Sequence, residues 1–123
     1  MASLPVCQIF LSSNPSAALP PALRALSASV QHWAGPAYQL HNHDSLRQFL
    51  RDHYDSELLQ AFDRLQPYAY RADLGRYALL LHQGGWYFDI GTRLQTPLQF
   101  RPEIELVLFR EQLLAGNCSW ACQ

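Results

Sequence analysis

The chain has 123 residues, of which 49% are hydrophobic and 15% charged, and its formal net charge at pH 7 is −1. These values are typical of one modest globular domain with a hydrophobic core. They argue against a nucleic-acid-binding protein, because the sequence has no run of basic residues to follow a phosphate backbone. No stretch approaches the ~20 apolar residues of a membrane span, so no transmembrane segment is expected.

Features near the two chain ends bear on the cellular compartment. Residues 1–10 lack the basic region and the long apolar region of a secretory signal. Cys7, Cys118 and Cys122 are too few for a disulfide framework, and free thiols suit a reducing compartment. We therefore expect a cytoplasmic protein, with peripheral attachment to a membrane as the open alternative.

The first third of the chain is predicted to form a strand, a helix and a second strand. The apolar run 6–11 predicts a buried strand, and residues 20–30 carry apolar side chains at helical spacing. Gly35-Pro36 then breaks the chain before a second strand at 38–41. This order is expected at the start of a nucleotide-binding α/β fold, with a mainly parallel sheet and helices on both faces.

Two short helices and a last strand are predicted from the remaining apolar patterns. Asp44 or Ser45 can cap a helix whose apolar residues fall at 46–50, and a further helix covers 58–65. The apolar, β-branched run 104–109 predicts a strand.

His41 and His43 lie on one face of the second predicted strand, with Asp44 adjacent. A metal site is one interpretation of this cluster. A solvated strand end is favoured over it, because no distant Cys or His completes a set of ligands.

Residues 68–92 form the most informative stretch of the sequence. Apolar residues recur there at helical spacing, and Pro67 suits the first turn of the helix. Gly84-Gly85 ends the helix, since glycine accepts the left-handed conformation of a C-cap. The aromatic run 86–90 then predicts a strand.

Polar side chains of this helix and strand are predicted to meet. Strand alternation puts Tyr87, Asp89 and Gly91 on one face. Asp73 and Arg76 are three apart and project from one side of the helix. They could form an ordinary surface ion pair. However, the helix leads directly into the strand, and ligands collect at the carboxyl ends of strands in open α/β sheets. We therefore predict that both helix residues converge with Tyr87 and Asp89 on one cleft.

These residues carry a resemblance to a known family. The segment ADLGRY (72–77), followed by GGWYFD (84–89), resembles the signature of the glycosyltransferases with a DXD-containing sugar-binding region. The pattern of that family is an Asp-x-x-Arg-Tyr helix and then Gly-Gly-x-Tyr-x-Asp-x-Asp. In this chain Gly91 stands where the final Asp is expected. The likeness extends over about residues 5–98, including the opening strand.

The resemblance implies a fold and an activity. The implied fold is α/β, a GT-A-like, Rossmann-like three-layer sandwich, and residues 1–123 are expected to be its N-terminal, donor-binding part. The implied reaction transfers a hexose, with retention, from a nucleotide sugar to a hydroxyl of a glycan, lipid or protein acceptor. The alternative is a truncated or degenerate domain that binds a nucleotide sugar without turnover, since the second acid is missing and full domains of this fold usually need about 200 residues or more.

The resemblance also implies roles for single residues. Asp73 and Arg76 match positions that hold the donor sugar, and Tyr87 shares their cleft. Asp89 matches the first acid of the DXD motif, the implied catalytic residue and ligand of a divalent cation, Mn²⁺ or Mg²⁺. Phe10 and Leu11 lie where the first strand meets the base of the nucleotide.

Gly91 changes what is expected of the cation. With one acid missing, the ion should bind weakly, through Asp89, water and phosphate oxygens. If the strand runs on unbroken, Arg93 falls on the same face as Asp89 and could replace part of the metal's charge at the diphosphate. The other interpretation, which is favoured, is that Arg93 is an exposed turn residue.

Overall fold

The computed structural model describes residues 4–14, 18–99 and 101–109. These ranges contain three strands and four α-helices, and three of the helices follow one another between the second and third strands. They are β1 (Val6–Ile9), α1 (Pro21–Ala34), β2 (Tyr38–His41), α2 (His43–His53), α3 (Ser56–Arg64), α4 (Tyr68–Gln83) and β3 (Trp86–Tyr87), with a 3₁₀ turn at Gly35–Ala37 before β2. None of the helices within the described ranges has the length and apolar character needed to cross a bilayer.

The three strands form one parallel sheet in the order β2-β1-β3. Val6 of β1 is in register with Tyr38 of β2 and with Trp86 of β3. The prediction at 38–41 is confirmed, whereas the strands predicted at 6–11 and 86–90 are shorter than expected. The chain leaves the sheet after Tyr87 and turns, with the Thr92 amide donating to the Asp89 carbonyl at 3.0 Å.

Helices cover both faces of the sheet, as predicted. On one face Cys7 and Ile9 pack against buried residues of α2, α3 and α4. On the other face Val6 and Phe88 pack against Val30 of α1. The protein is therefore a mixed α/β protein with three layers and a small parallel sheet.

Local sequence signals set most helix ends. The Asn42 side chain accepts from the Ser45 amide at 2.8 Å and the Ser45 hydroxyl accepts from the Asn42 amide at 2.9 Å, a capping box that begins α2. The N-cap of α2 is therefore Asn42, the residue that follows β2, and not Asp44 or Ser45 as predicted. Asp55 caps α3 by accepting from the Leu58 amide at 2.9 Å.

The predicted strand at 104–109 is wrong. These residues form no regular element, and all are exposed; Leu106 and Leu108 are 73% and 81% accessible. A high β-propensity does not suffice, because a strand also needs a neighbour for its backbone hydrogen bonds. One ring of the segment, Phe109, lies near Trp86 and Phe88, with centroid separations of 6.2 and 5.4 Å.

Candidate functional site

The candidate site lies at the carboxyl edge of the sheet. Because the strands are parallel, β1, β2 and β3 all end at this edge, after Ile9, His41 and Tyr87. Asp89 follows the end of β3 by two residues. The edge therefore carries the predicted acid at the position where open α/β sheets hold their ligands.

Two positive-φ glycines bring α4 and β3 together. Gly84 ends α4 at φ 67°, and its amide donates to the Leu80 carbonyl at 2.9 Å. Gly85, at φ 91°, lies so close to β1 that a Cβ atom would overlap the Pro5 carbonyl. That carbonyl accepts from the Trp86 amide at 2.8 Å, which starts the pairing of β3 with β1.

Arg76 lies between two acids. Its Nη2 donates to Oδ1 of Asp73, one turn earlier in α4, at 2.6 Å. Its Nη1 is 3.7 Å from Oδ1 of Asp89. The Arg76 side chain is 28% exposed, whereas those of Asp73 and Asp89 are 54% and 74% exposed. The guanidinium is therefore sheltered, and both carboxylates remain open to solvent.

Two tyrosine rings border the same guanidinium. The Arg76 Cζ atom lies 5.3 Å from the ring centroid of Tyr77 and 5.5 Å from that of Tyr87. Rings at this distance attract a cation and restrict its orientation. The Nε atom of Arg76 is buried and has no hydrogen-bond partner among the described residues. A buried unsatisfied donor is costly, so this N–H is the part of the site most in need of an acceptor.

Tyr87 is held in its neutral form. Burial raises the pKa of the Tyr87 phenol, and the nearby Asp89 carboxylate raises that pKa further. The phenol therefore keeps its proton across the physiological range and can donate a hydrogen bond. The predicted group of Asp73, Arg76, Tyr87 and Asp89 thus lies together around one guanidinium.

The other predicted site residues are placed less centrally. Phe10 follows the end of β1, where its amide donates to the His41 carbonyl at 3.0 Å, and Leu11 packs against the core beneath α2 to α4. Arg93 is exposed and lies beyond the turn at Asp89, so the unbroken strand that would align the two residues does not exist. Gly91 is exposed, and a Cβ there would meet no atom within 4 Å.

The histidines near β2 are structural partners. His41 lies within 3.3 Å of the Gln39 and Ser45 side chains. The Nε2 atom of His43 accepts from Nη1 of Arg71 at 2.7 Å, because an arginine has no acceptor to offer. Neither side chain is the solvated strand end that the sequence favoured. Within the described part of the chain, no three His, Cys, Asp or Glu side chains are grouped as metal ligands.

Two polar residues that matter to the architecture escaped the sequence analysis. Arg71 is only 8% exposed and donates to the backbone carbonyls of Asp63 and Leu65, which end α3. Gln8 is fully buried in β1. One feature of the sequence could have indicated that Arg71 is buried: its spacing places it on the same side of α4 as Ala78. For Gln8 the signal was a single polar residue within an apolar strand.

A half-buried arginine thus lies between two acids at the carboxyl edge of a parallel α/β sheet, the edge at which open α/β sheets hold their ligands. Residues 23–120 match the family described as "Glycosyltransferase sugar-binding region containing DXD motif". The chain belongs to this family, as the ADLGRY and GGWYFD segments indicated.

A relative whose name includes the word glycosyltransferase agrees with this assignment. Over 49 residues the chain is 39% identical to the "Uncharacterized glycosyltransferase L373" of Acanthamoeba polyphaga mimivirus. The matched part covers 40% of this chain and 20% of that relative, so the chain spans a small part of the relative's length. No solved structure matches the chain. The family match and the name of the relative agree with each other.

Proposed function

We propose that the chain is the donor-binding part of a hexosyltransferase with a GT-A-like fold, and that it forms a single domain over residues 1–123. In this proposal a hexose moves from a nucleotide sugar to a hydroxyl of a glycan, lipid or protein, with retention at the anomeric carbon. The observation that carries the proposal is the Arg76 guanidinium, which is held between Asp73 and Asp89 and whose buried Nε has no partner in the part of the chain that the structure describes.

The chemistry of these groups suits a sugar nucleotide. Carboxylates accept hydrogen bonds from sugar hydroxyls, and the Asp73 side chain is 54% exposed although it pairs with Arg76. A guanidinium offers directed donors to a hydroxyl or a phosphate oxygen, and the Nε–H of Arg76 is unused within the described chain. The neutral phenol of Tyr87 donates its hydrogen bond to the Asp89 carboxylate and so helps to hold that acid in the site. Phe10 and Leu11, at the end of β1, are proposed to border the base of the nucleotide.

A divalent cation fits this site in a limited way. Asp89 offers one exposed carboxylate, Gly91 offers no ligand, and Arg76 already balances part of the charge of Asp89. Asp89 would hold Mn²⁺ or Mg²⁺ together with water and the phosphates of the donor. The cation would neutralise charge on the diphosphate leaving group. We therefore expect no tightly bound metal in the free protein and a weaker dependence of donor binding on Mn²⁺ than in relatives with an intact DXD motif.

A second candidate function is donor binding without transfer. The observation that favours it is Gly91, which deprives the motif of its second acid. A transfer assay with a radiolabelled nucleotide sugar separates the two functions, since binding without product formation supports the second.

The experiment for the proposed function is a thermal-shift and calorimetric screen of UDP- and GDP-hexoses with Mn²⁺ and with EDTA. A bound donor raises the melting temperature, because it stabilises only the folded chain. Arg76→Met is expected to abolish the shift. The matched control is Arg47→Met, which removes an arginine of α2 that is paired with Asp63 of α3 at 2.9 Å. If no nucleotide sugar in the panel shifts the wild-type protein, the proposed function is wrong.

A further inference from the structure

We propose that Gln8 is a positioning residue that fixes the backbone of Asp89 and so aims its carboxylate at the donor. The Nε2 atom of Gln8 donates to the main-chain carbonyl of Asp89 at 3.0 Å. Gln8 lies in the middle of β1, 81 residues away in sequence, and its side chain is fully buried. This role rests on the proposed function, because it matters only if Asp89 contacts the donor or its cation.

Asp89 needs such a support because the sheet no longer holds it. The pairing of β3 with β1 ends at Tyr87, and the last backbone bond to β1 runs from the Phe88 amide to the Cys7 carbonyl at 3.1 Å. Beyond that point the Asp89 side chain is exposed and the chain turns. The main-chain carbonyl of Asp89 accepts two hydrogen bonds, one from the Gln8 side chain and one from the Thr92 amide. The Gln8 amide is therefore the link between this turn and the rigid centre of the sheet.

The orientation of the Gln8 amide follows from its two partners. The Asp89 carbonyl can only accept, so the NH₂ group must face it. The Oε1 atom of Gln8 then faces Tyr38 of β2, whose hydroxyl donates to it at 2.8 Å. Burial raises the pKa of the Tyr38 phenol, which keeps that hydroxyl protonated as the donor. A chain of hydrogen bonds thus crosses the sheet from β2 through β1 to Asp89.

A glutamine that only satisfies its own polar groups in the core would be expected to affect stability alone. A positioning role predicts in addition a change at Asp89 that stability does not explain. Side chains that orient a ligating group typically change affinity by about tenfold or more when they are removed. Two readouts therefore separate the roles: the motion of the turn at Asp89 and the affinity for a nucleotide sugar at a temperature where every variant is folded.

The test compares Gln8→Met, which keeps the size of the side chain and removes its amide, with Tyr38→Phe, which removes only the supporting hydroxyl. The matched control is Cys7→Ala, which makes a small cavity. Cys7 is adjacent to Gln8, equally buried, and lies on the opposite face of β1. Hydrogen exchange of the Thr92 amide is followed by NMR without ligand. The dissociation constant is measured by calorimetry for the UDP- or GDP-hexose that binds the wild type most tightly, with Mn²⁺ present.

In Gln8→Met we expect exchange at Thr92 to become severalfold faster and the dissociation constant to rise about tenfold. Tyr38→Phe should change both in the same direction by less, and Cys7→Ala should change neither. Unaltered exchange at Thr92 in both Gln8→Met and Tyr38→Phe overturns the inference. It is also overturned if Gln8→Met binds the nucleotide sugar as tightly as Cys7→Ala does. Absence of nucleotide-sugar binding in the wild type instead rejects the proposed function, while the exchange measurement still decides whether Gln8 holds the turn.

Discussion

The Nη1 atom of Arg76 lies 3.7 Å from Oδ1 of Asp89, a contact that joins the middle of α4 to the turn after β3. The same guanidinium bonds Asp73 at 2.6 Å. Exposed ion pairs of this kind contribute little to stability, with a typical range of about 0–1 kcal/mol. A half-buried arginine that contacts two carboxylates, and whose Nε has no acceptor within the described ranges, is better suited to binding than to stabilising the fold.

Replacing Arg76 by methionine is therefore expected to separate binding from stability. The free energy of unfolding should change by less than about 1 kcal/mol. The free energy of nucleotide-sugar binding should weaken by about 1.5–3 kcal/mol, the range for hydrogen bonds to charged groups. Calorimetric titration and urea unfolding of Arg76→Met, beside Arg47→Met, measure both quantities. Equal affinity in the two variants would remove Arg76 from the donor site.

Restoring the second acid of the motif tests the role of Gly91. A Cβ at Gly91 would meet no atom within 4 Å, and the backbone there is not in the left-handed region, so Gly91→Asp should fold normally. A second carboxylate adds ligand charge, which strengthens the binding of a divalent cation through oxygen. We expect tighter Mn²⁺ binding, measured by calorimetry, and a donor affinity that depends more strongly on Mn²⁺. Gly91→Asn, which adds a similar volume without the charge, is the control; equal Mn²⁺ binding in both variants would contradict this account of the cation.

Gly85 is expected to tolerate no side chain. It combines a φ of 91° with a close approach to the Pro5 carbonyl, whereas Gly35 has a φ of 61° and open space around it. Gly35→Ala should cost about 1 kcal/mol of unfolding free energy, the lower range for a residue held in a sparsely populated region. Gly85→Ala should cost about 2–4 kcal/mol, because overpacking against β1 adds to that strain. Chemical denaturation compares the two, and a loss in Gly85→Ala no larger than in Gly35→Ala would show that β3 can move away from Pro5.

The elements fixed by local chemistry could be predicted from the sequence. Helix α4 lies where its apolar spacing placed it, and Gly84 ends it as expected. Alternation also assigned the faces around Tyr87 correctly, since that ring packs on the α4 side whereas Phe88 packs on the α1 side. These assignments depend on neighbours within a few residues, which the sequence displays directly.

Features that depend on distant partners could not be predicted. The run 104–109 has the composition of a strand, but its exposure shows that no neighbouring strand is available within the described chain. The alignment of Arg93 with Asp89 required a strand that continues past Asp89. The chain turns there, and Arg93 is exposed, in agreement with the interpretation that the sequence favoured. The role of Arg71 could not be predicted, because the need of the Asp63 and Leu65 carbonyls for a donor becomes visible only once α3 and α4 are packed.

That packing makes the stability of the protein sensitive to acid. His43 accepts a hydrogen bond from Arg71 through Nε2, which requires a neutral imidazole. Burial lowers the pKa of His43, and the positive charges of Arg71 and Arg47 lower that pKa further. Burial also lowers the pKa of His41. Between the folded and unfolded pKa values the unfolded chain binds more protons than the folded chain, so stability falls with decreasing pH.

The loss should begin as the pH falls through the ordinary pKa of histidine, near 6.5, and should continue to the lowered folded values. We therefore expect the urea midpoint to drop between pH 7.5 and 5.5. His43→Gln should reduce this drop, because a glutamine oxygen can still accept from Arg71 but does not titrate. A pH dependence that is the same in His43→Gln and in the wild type would show that the contact between His43 and Arg71 is not a source of the acid sensitivity.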